Sequence, residues 1–382
     1  MERALADAGM DITTVTTDDD GPGRRLTTPL GQPIQVERAT RLYFRKQTEF
    51  YKCSLPLWWW LRSNVYRFDV VHVHALFSFA STLAMTCARG HKVNYIVRPL
   101  GVLNRYGMER RRPGLKRLSF RFVELPLLRH AARLHYTSQR EKHEAEETGV
   151  RGPSAVIPIG IDVAQFDRLP GPGRFFERFS AAKGRTIILF LSRIDPKKGL
   201  ELLLPAFAAT SRKFPEALLV IAGASEDGYL ACLQELARSL HLENSVLWTG
   251  RLDEADKLSA LAASTVFVLP SLSENFGIAL VEALAAGLPC FATEGVAVAE
   301  DMRERDAGLV GAVEVSSIAR ALERLLGDEA LRMRLGANAR RLAVERFSLE
   351  AMGTALSRMY RELAPRPVQC VTGCAASSVV SR

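Results

Sequence analysis

Two carboxylates and a few cations carry the chemistry that can be read from this chain. Glu274 and Glu282 stand eight positions apart in PSLSENFGIALVEALAAGLPC (270–290), an otherwise apolar stretch, and Asn275-Phe276-Gly277 follows the first acid directly. Upstream, Arg193, Lys198 and Gly199 sit in LSRIDPKKG (191–199). Two cations beside a helix start suit a diphosphate, because a helix N-terminus attracts phosphate and Arg and Lys add full charges. Gly277 lets backbone approach a ligand closely, and the amides of Asn275–Ile278 face the same point as the helix dipole. Each feature has a plainer counterpart. The basic loop suits a solvated surface, and Ser271-x-x-Glu274 fits a capping box. Glu282 suits a solvated helix face, except that Ile278, Leu280, Val281 and Leu284 leave little polar face there, so this acid calls for a partner.

The elements that must position these residues follow from apolar periodicity. In the second half, Ile187–Arg193, Ala217–Gly223, Ser245–Gly250, Thr265–Ser271 and Leu288–Thr293 read as strands. Leu200–Lys213, Glu226–His241, Asp253–Ser264 and Gly277–Ala286 read as helices between them. Apolar strands alternating with helices imply parallel βαβ units buried on both faces, a doubly wound α/β sheet with ligands at the carboxyl ends of its strands. The first half repeats the pattern with strands at Asp11–Thr17, Phe68–Ala75, Val93–Pro99, Arg133–Ser138 and Ser154–Ile159; Ser138-x-x-Glu141 is a capping box that starts a helix. Two Rossmann-like domains are expected, 1–160 and 161–348, followed by a C-terminal helix at 349–363 and a disordered tail at 364–382. Met1–Ala8 reads as a helix ended by Gly9, so the first sheet is expected to lack the strand that ordinarily precedes a first helix.

Composition bounds the rest. The chain has 382 residues, 47% hydrophobic, and a formal net charge of +9. That length suits about two domains, and the charge suits an anionic partner. The six cysteines (53, 87, 232, 290, 370 and 374) show no metal-ligand spacing and fit a reduced compartment. No apolar run approaches the roughly 20 residues of a spanning helix. Met-Glu-Arg-Ala-Leu does not read as a secretory leader. A cytoplasmic location is expected, with a peripheral position at the inner membrane face as an extension of it.

Arg193…Lys198-Gly199 followed by Glu274-Asn-Phe-Gly277-x4-Glu282 resembles the GT-B-fold retaining glycosyltransferases of family 4, over about residues 1–362. The resemblance implies two Rossmann-like domains facing across a cleft and transfer from a nucleotide-diphosphate-sugar to a saccharide or lipid-linked acceptor, in a setting such as surface polysaccharide assembly. It implies that Arg193 and Lys198 hold the diphosphate, that Glu282 meets the ribose, that Glu274 faces the donor sugar, and that Gly199, Asn275, Phe276, Gly277 and Ile278 complete the donor cradle. No cofactor or essential metal is implied beyond the nucleotide-sugar co-substrate. An epimerase or phosphorylase on the same fold, or an inactive nucleotide-sugar-binding homologue, stays open.

The first half offers weaker candidates for the acceptor side. Arg98-Pro-Leu-Gly101-Val-Leu-Asn-Arg105 resembles a family segment that often reads Arg-Pro-His-Gly, with Leu100 where the histidine stands. His72 and His74 share a strand face; His74 is placed to meet an acceptor, and no third metal ligand is evident. Asp18-Asp19-Asp20 fits an Asp-x-Asp metal motif but reads as a turn before Gly21-Pro-Gly23. Twelve Lys/Arg against three acids between Arg98 and Lys142, together with Trp58-Trp59-Trp60, suit either a solvated face and a core helix or an anionic membrane surface. No nucleic-acid motif is present, and no nucleic-acid partner is expected.

Overall fold

The computed structural model describes residues 1–104, 113–225 and 228–364. The strands are β1 (Thr13–Thr17), β2 (Ile34–Val36), β3 (Ala39–Phe44), β4 (Val70–His74), β5 (Asn94–Arg98), β6 (Arg133–Tyr136), β7 (Ser154–Val156), β8 (Thr186–Leu191), β9 (Ala217–Ala222), β10 (Val246–Gly250), β11 (Val266–Leu269), β12 (Cys290–Thr293) and β13 (Leu309–Gly311). They form three sheets among the described residues. The largest has the order β10-β9-β8-β11-β12-β13 and is parallel throughout. Its order reverses at β8–β11, so the loops after these two strands flank a topological switch point, where open α/β sheets bind ligands.

The sequence explains this sheet directly. Every residue of β9, β11 and β12 is buried, because helices cover both faces and each run is apolar without alternation. Gly287 ends the helix Ile278–Ala285 with φ +72°. The sequence reading did not include β13, a three-residue strand.

The first half is less regular. β4-β5-β6-β7 form a parallel sheet. β1 does not join it. It pairs parallel with β3, and β3 pairs antiparallel with β2. A groove of about 1600 Å³ is lined by residues of both β1 and β4. The helix Glu2–Asp7 packs on the C-terminal helix Leu349–Leu363, with Ala4, Leu5, Met352 and Leu356 buried in one cluster with Ile96 of β5. The last helix therefore returns to the first half of the chain. A short helix, Gly173–Arg178, precedes β8. Asp18 and Asp19 are structural. Asp18 accepts the Lys46 amide at 2.6 Å, and Asp19 pairs with the fully buried Lys46 ammonium at 2.7 Å and with Lys52. No group of three His, Cys, Asp or Glu side chains among the described residues is arranged to hold a metal.

Candidate active site

Beyond β8 the chain carries Arg193 and then makes a 3-10 turn, Pro196–Lys198, capped by Asp195, which accepts the Lys197 amide at 3.0 Å. Gly199 follows with φ +71° and starts the helix Leu200–Ser211. A Cβ at Gly199 would collide with the Pro270 carbonyl, and the Leu272 amide donates to the Lys197 carbonyl at 2.7 Å. The glycine thus lets the loop after β8 lie against the loop after β11. Lys198 and Glu274 meet as a consequence. They form an ion pair with side chains only 12% and 21% exposed.

Glu274 is fixed through its backbone. Its amide donates to the Gly295 carbonyl at 2.9 Å, and its carbonyl accepts the Ala297 amide at 3.1 Å. Phe276 is buried edge-on against Phe347, with ring centroids 5.8 Å apart. This side chain anchors the loop. Gly277, φ +94°, leads into the helix Ile278–Ala285. No protein acceptor among the described residues meets the amides of Asn275, Phe276, Gly277 or Ile278, so the positive end of this helix is open to an anion. The capping-box reading of Ser271-x-x-Glu274 does not hold. The helix begins at Ile278, Glu274 bridges to Val296 instead, and the Ser271 hydroxyl is buried without a hydrogen bond.

Glu282 has the partner its apolar surroundings demanded. Lys257, on the helix Glu254–Ala263, donates to it at 2.7 Å and also pairs with Glu254 at 2.9 Å. Burial works against the lysine's charge, yet the hydrogen bonds it donates to Glu282 and then Glu254 outweigh it and raise its pKa. Sequence reading missed Lys257, because one lysine on an amphipathic helix looks like a solvated residue. Arg193 is exposed, with no hydrogen-bond or ion-pair partner among the described residues. Ile278 is 49% exposed at the helix start. Gathered here are therefore an exposed guanidinium, two Lys–Glu pairs and a row of open amides.

The loop after β5 reaches the same place. Gly101, φ +71°, donates its amide to Glu141 Oε1 at 2.6 Å, and a Cβ on it would run into the Asn275 side chain. Glu141 also accepts from the Thr137 amide at 2.6 Å and the Thr137 hydroxyl at 2.7 Å. Its sequence signature was a capping box, and Ser138 does cap the helix Gln139–Glu147. The carboxylate, however, holds two loops in place rather than returning to the cap. Arg140 donates to the Glu294 carbonyl at 2.7 Å, a further link between the halves.

His74 ends β4 and is accessible at the groove. His72 belongs to a buried chain instead. The His135 Nε2–H donates to the Ile157 carbonyl (2.9 Å), which leaves Nδ1 to accept from His72 Nε2–H (3.2 Å) and His72 Nδ1 to accept from the Tyr360 hydroxyl (2.6 Å). This order needs neutral imidazoles, and burial lowers both histidine pKa values. Arg98 is buried at the end of β5. Arg105 lies outside the described residues.

The family model for glycosyl transferases group 1 matches residues 174–342, and that for the glycosyl transferase 4-like domain matches residues 1–160. The chain is 33% identical over 232 residues to the phosphatidyl-myo-inositol mannosyltransferase of Mycolicibacterium smegmatis, covering 59% of this chain and 56% of the relative. It is 28% identical over 320 residues to the D-inositol 3-phosphate glycosyltransferase of Kineococcus radiotolerans, covering 79% and 68%. The chain thus spans little more than half the length of the curated mannosyltransferases it matches. The fold is that of Anabaena Alr3699/HepE, solved in complex with UDP: TM-score 0.74, 17% identity, 92% of this chain and 100% of that one. It is also that of a sucrose-phosphate synthase from Thermosynechococcus elongatus: TM-score 0.70, 21% identity, 95% and 91%. With one family model on each half and GT-B structures as neighbours, the chain belongs to the group 1, family 4 glycosyltransferases.

Proposed function

We propose that this protein transfers a sugar from a nucleotide diphosphate to a saccharide or lipid-linked acceptor with retention of configuration, in the assembly of a surface glycan. The observation that carries the reading is the set of Lys198, Glu274 and open Asn275–Ile278 amides at the β8–β11 switch point. As the bond from the anomeric carbon to the diphosphate breaks, the sugar gains positive charge and the diphosphate negative charge. Lys198, Arg193 and the amides are complementary to the second charge, and Glu274 to the first. The acceptor oxygen attacks on the departing face. Its proton passes to the leaving phosphate oxygen, so neither a covalent enzyme intermediate nor a metal enters the scheme. Glu282 takes the ribose hydroxyls through the oxygen Lys257 leaves free. The names of relatives that act on phosphatidyl-inositol and inositol phosphate support an acceptor of that kind.

The acceptor side is built from His74, Gly101 and the groove beside β4, with the location cytoplasmic and peripheral to a membrane. No helix among the described residues is long and apolar enough to cross one. Leu115, Leu118 and Phe122 are 47%, 57% and 66% exposed on a segment that also carries Arg117 and Arg121, and Trp59 is 58% exposed. Apolar side chains among cations suit an anionic bilayer surface. The rest of the tryptophan helix behaves as core: Leu57 and Leu61 are buried, and Trp60 packs on Phe44 and Phe68. The test is incubation of the protein with a panel of nucleotide-sugars, with and without vesicles of phosphatidylinositol, and with analysis of the anomeric configuration of any product. Retained configuration supports the reading. An inverted product, or nucleotide binding with no turnover on any acceptor, overturns it.

A further inference from the structure

Lys198 has an anion before any ligand arrives. Its ammonium pairs with the Glu274 carboxylate, and no other acid among the described residues pairs with it. The two side chains are 12% and 21% exposed, so water screens the pair only in part. The stem of Glu274 lies over the start of the helix Ile278–Ala285: its Cγ is 3.5 Å from where a Cβ on Gly277 would stand. The carboxylate is therefore held close to the open amides of Asn275–Ile278, and it gives Lys198 what a diphosphate would give. The backbone on either side is pinned. Glu274 is bonded to Gly295 and Ala297, the Lys197 carbonyl accepts from the Leu272 amide, and Gly199 lies against the Pro270 carbonyl. A diphosphate can thus take Lys198 by rotation of two side chains, with both loops in place.

We propose that Glu274 is a specificity-determining residue: by competing with the diphosphate for Lys198, it makes the site favour the sugar-bearing donor over the bare nucleoside diphosphate. The proposal rests on the glycosyltransferase reading and adds discrimination against the product to it. Either ligand must break the Lys198–Glu274 pair, but the two compensate the released carboxylate differently. The donor's sugar brings hydroxyls that donate to it. The bare diphosphate brings none. Its terminal phosphate also carries a second negative charge at neutral pH, so it faces an unpaired acid of its own sign. Once the sugar has left, the carboxylate retakes Lys198 and favours release of the product. Only hydrogen bonds and ion pairs change hands in this exchange.

The full chain, as wild type and as Glu274→Gln, is titrated calorimetrically without acceptor. The ligands are UDP and UDP-glucose, GDP and GDP-mannose, and ADP and ADP-glucose, and thermal unfolding is recorded for each preparation. Competition makes Glu274→Gln bind the bare diphosphate about tenfold more tightly than wild type does, the order of a charged hydrogen bond that no longer has to be broken. The sugar-bearing nucleotide gains the freed lysine but loses its hydroxyl contacts, so the preference for it shrinks by a similar factor or more. A merely structural role for Glu274 gives the opposite sign, because a loosened loop weakens both ligands together. Glu274→Ala is the second variant and moves the bare diphosphate in the same direction. A folded variant that binds the bare diphosphate no more tightly than wild type overturns the proposal and leaves the glycosyltransferase reading standing. A wild-type chain that binds none of the six nucleotides overturns that reading, and the proposal with it.

Discussion

Replacing Lys198 with alanine removes the cation that meets both Glu274 and, in the proposed reaction, the departing diphosphate. The structure sets the size of the effect. With the lysine side chain 12% exposed, its charge acts in a medium closer to an effective dielectric of 20 than of water, so an interaction at 4 Å is worth about 4 rather than about 1 kcal/mol. Loss of one such group from a developing charge costs ~100- to 1000-fold in kcat. The effect on folding is much smaller. Glu274, left alone, is 21% exposed and stays partly hydrated, so the loss of stability is about 1 kcal/mol, well under that of a broken buried pair. The assay is release of nucleoside diphosphate under saturating donor, beside thermal unfolding of the same preparation. A folded Lys198→Ala protein whose kcat lies within threefold of wild type would refute the electrostatic argument, as would a loss of turnover no larger than the loss of folded protein.

Further expectations follow from neighbouring geometry. Gly199→Ala places a Cβ against the Pro270 carbonyl at φ +71°. It should destabilise the protein by about 1–3 kcal/mol and lower donor affinity with it, seen as a fall in denaturation midpoint; an unchanged midpoint counts against the tight loop contact. Tyr360→Phe removes the hydroxyl that ends the buried histidine chain and should cost about 1–2 kcal/mol in chemical denaturation, and no measurable cost would show that the chain is not a hydrogen-bonded unit. His135, neutral in the fold with its pKa lowered by burial to about 3, gains a proton more easily when unfolded. Its contribution to stability is therefore complete above about pH 6.5 and is lost as pH falls toward 3. Unfolding midpoints should decline between pH 7 and pH 5, less steeply in His135→Gln, and equal slopes would contradict the assignment. Chelation by EDTA should leave donor turnover unchanged; a turnover restored only by added divalent cation would bring a metal into the mechanism.

The second sheet was legible because strands buried on both faces are written as unbroken apolar runs, and Glu274 could be placed from the end of β11 alone. The three-residue strands β2 and β13 are too short to show a period. The β2–β3 turn passes through Glu37 at φ +55°, a position with none of the Gly, Asn or Asp that ordinarily announces it. The roles of Lys257 and of the Glu141 carboxylate were hidden for a shared reason. Their local sequences fit a solvated helix face and a capping box, and only the tertiary fold brings Glu282 to the first and Gly101 to the second. Ser271 is the converse case, a good local signal overridden by the bridge from Glu274 to Val296.

The central claim is that the β8–β11 switch point binds a nucleoside diphosphate with Glu282 on its ribose. Calorimetric titration of the wild-type chain and of Glu282→Ala with UDP, GDP and ADP tests it most directly. One site per wild-type chain is expected for at least one of these nucleotides, with about a tenfold or greater loss of affinity in a folded Glu282→Ala. No binding of any of the three by wild type, or equal affinity in the variant, would contradict it.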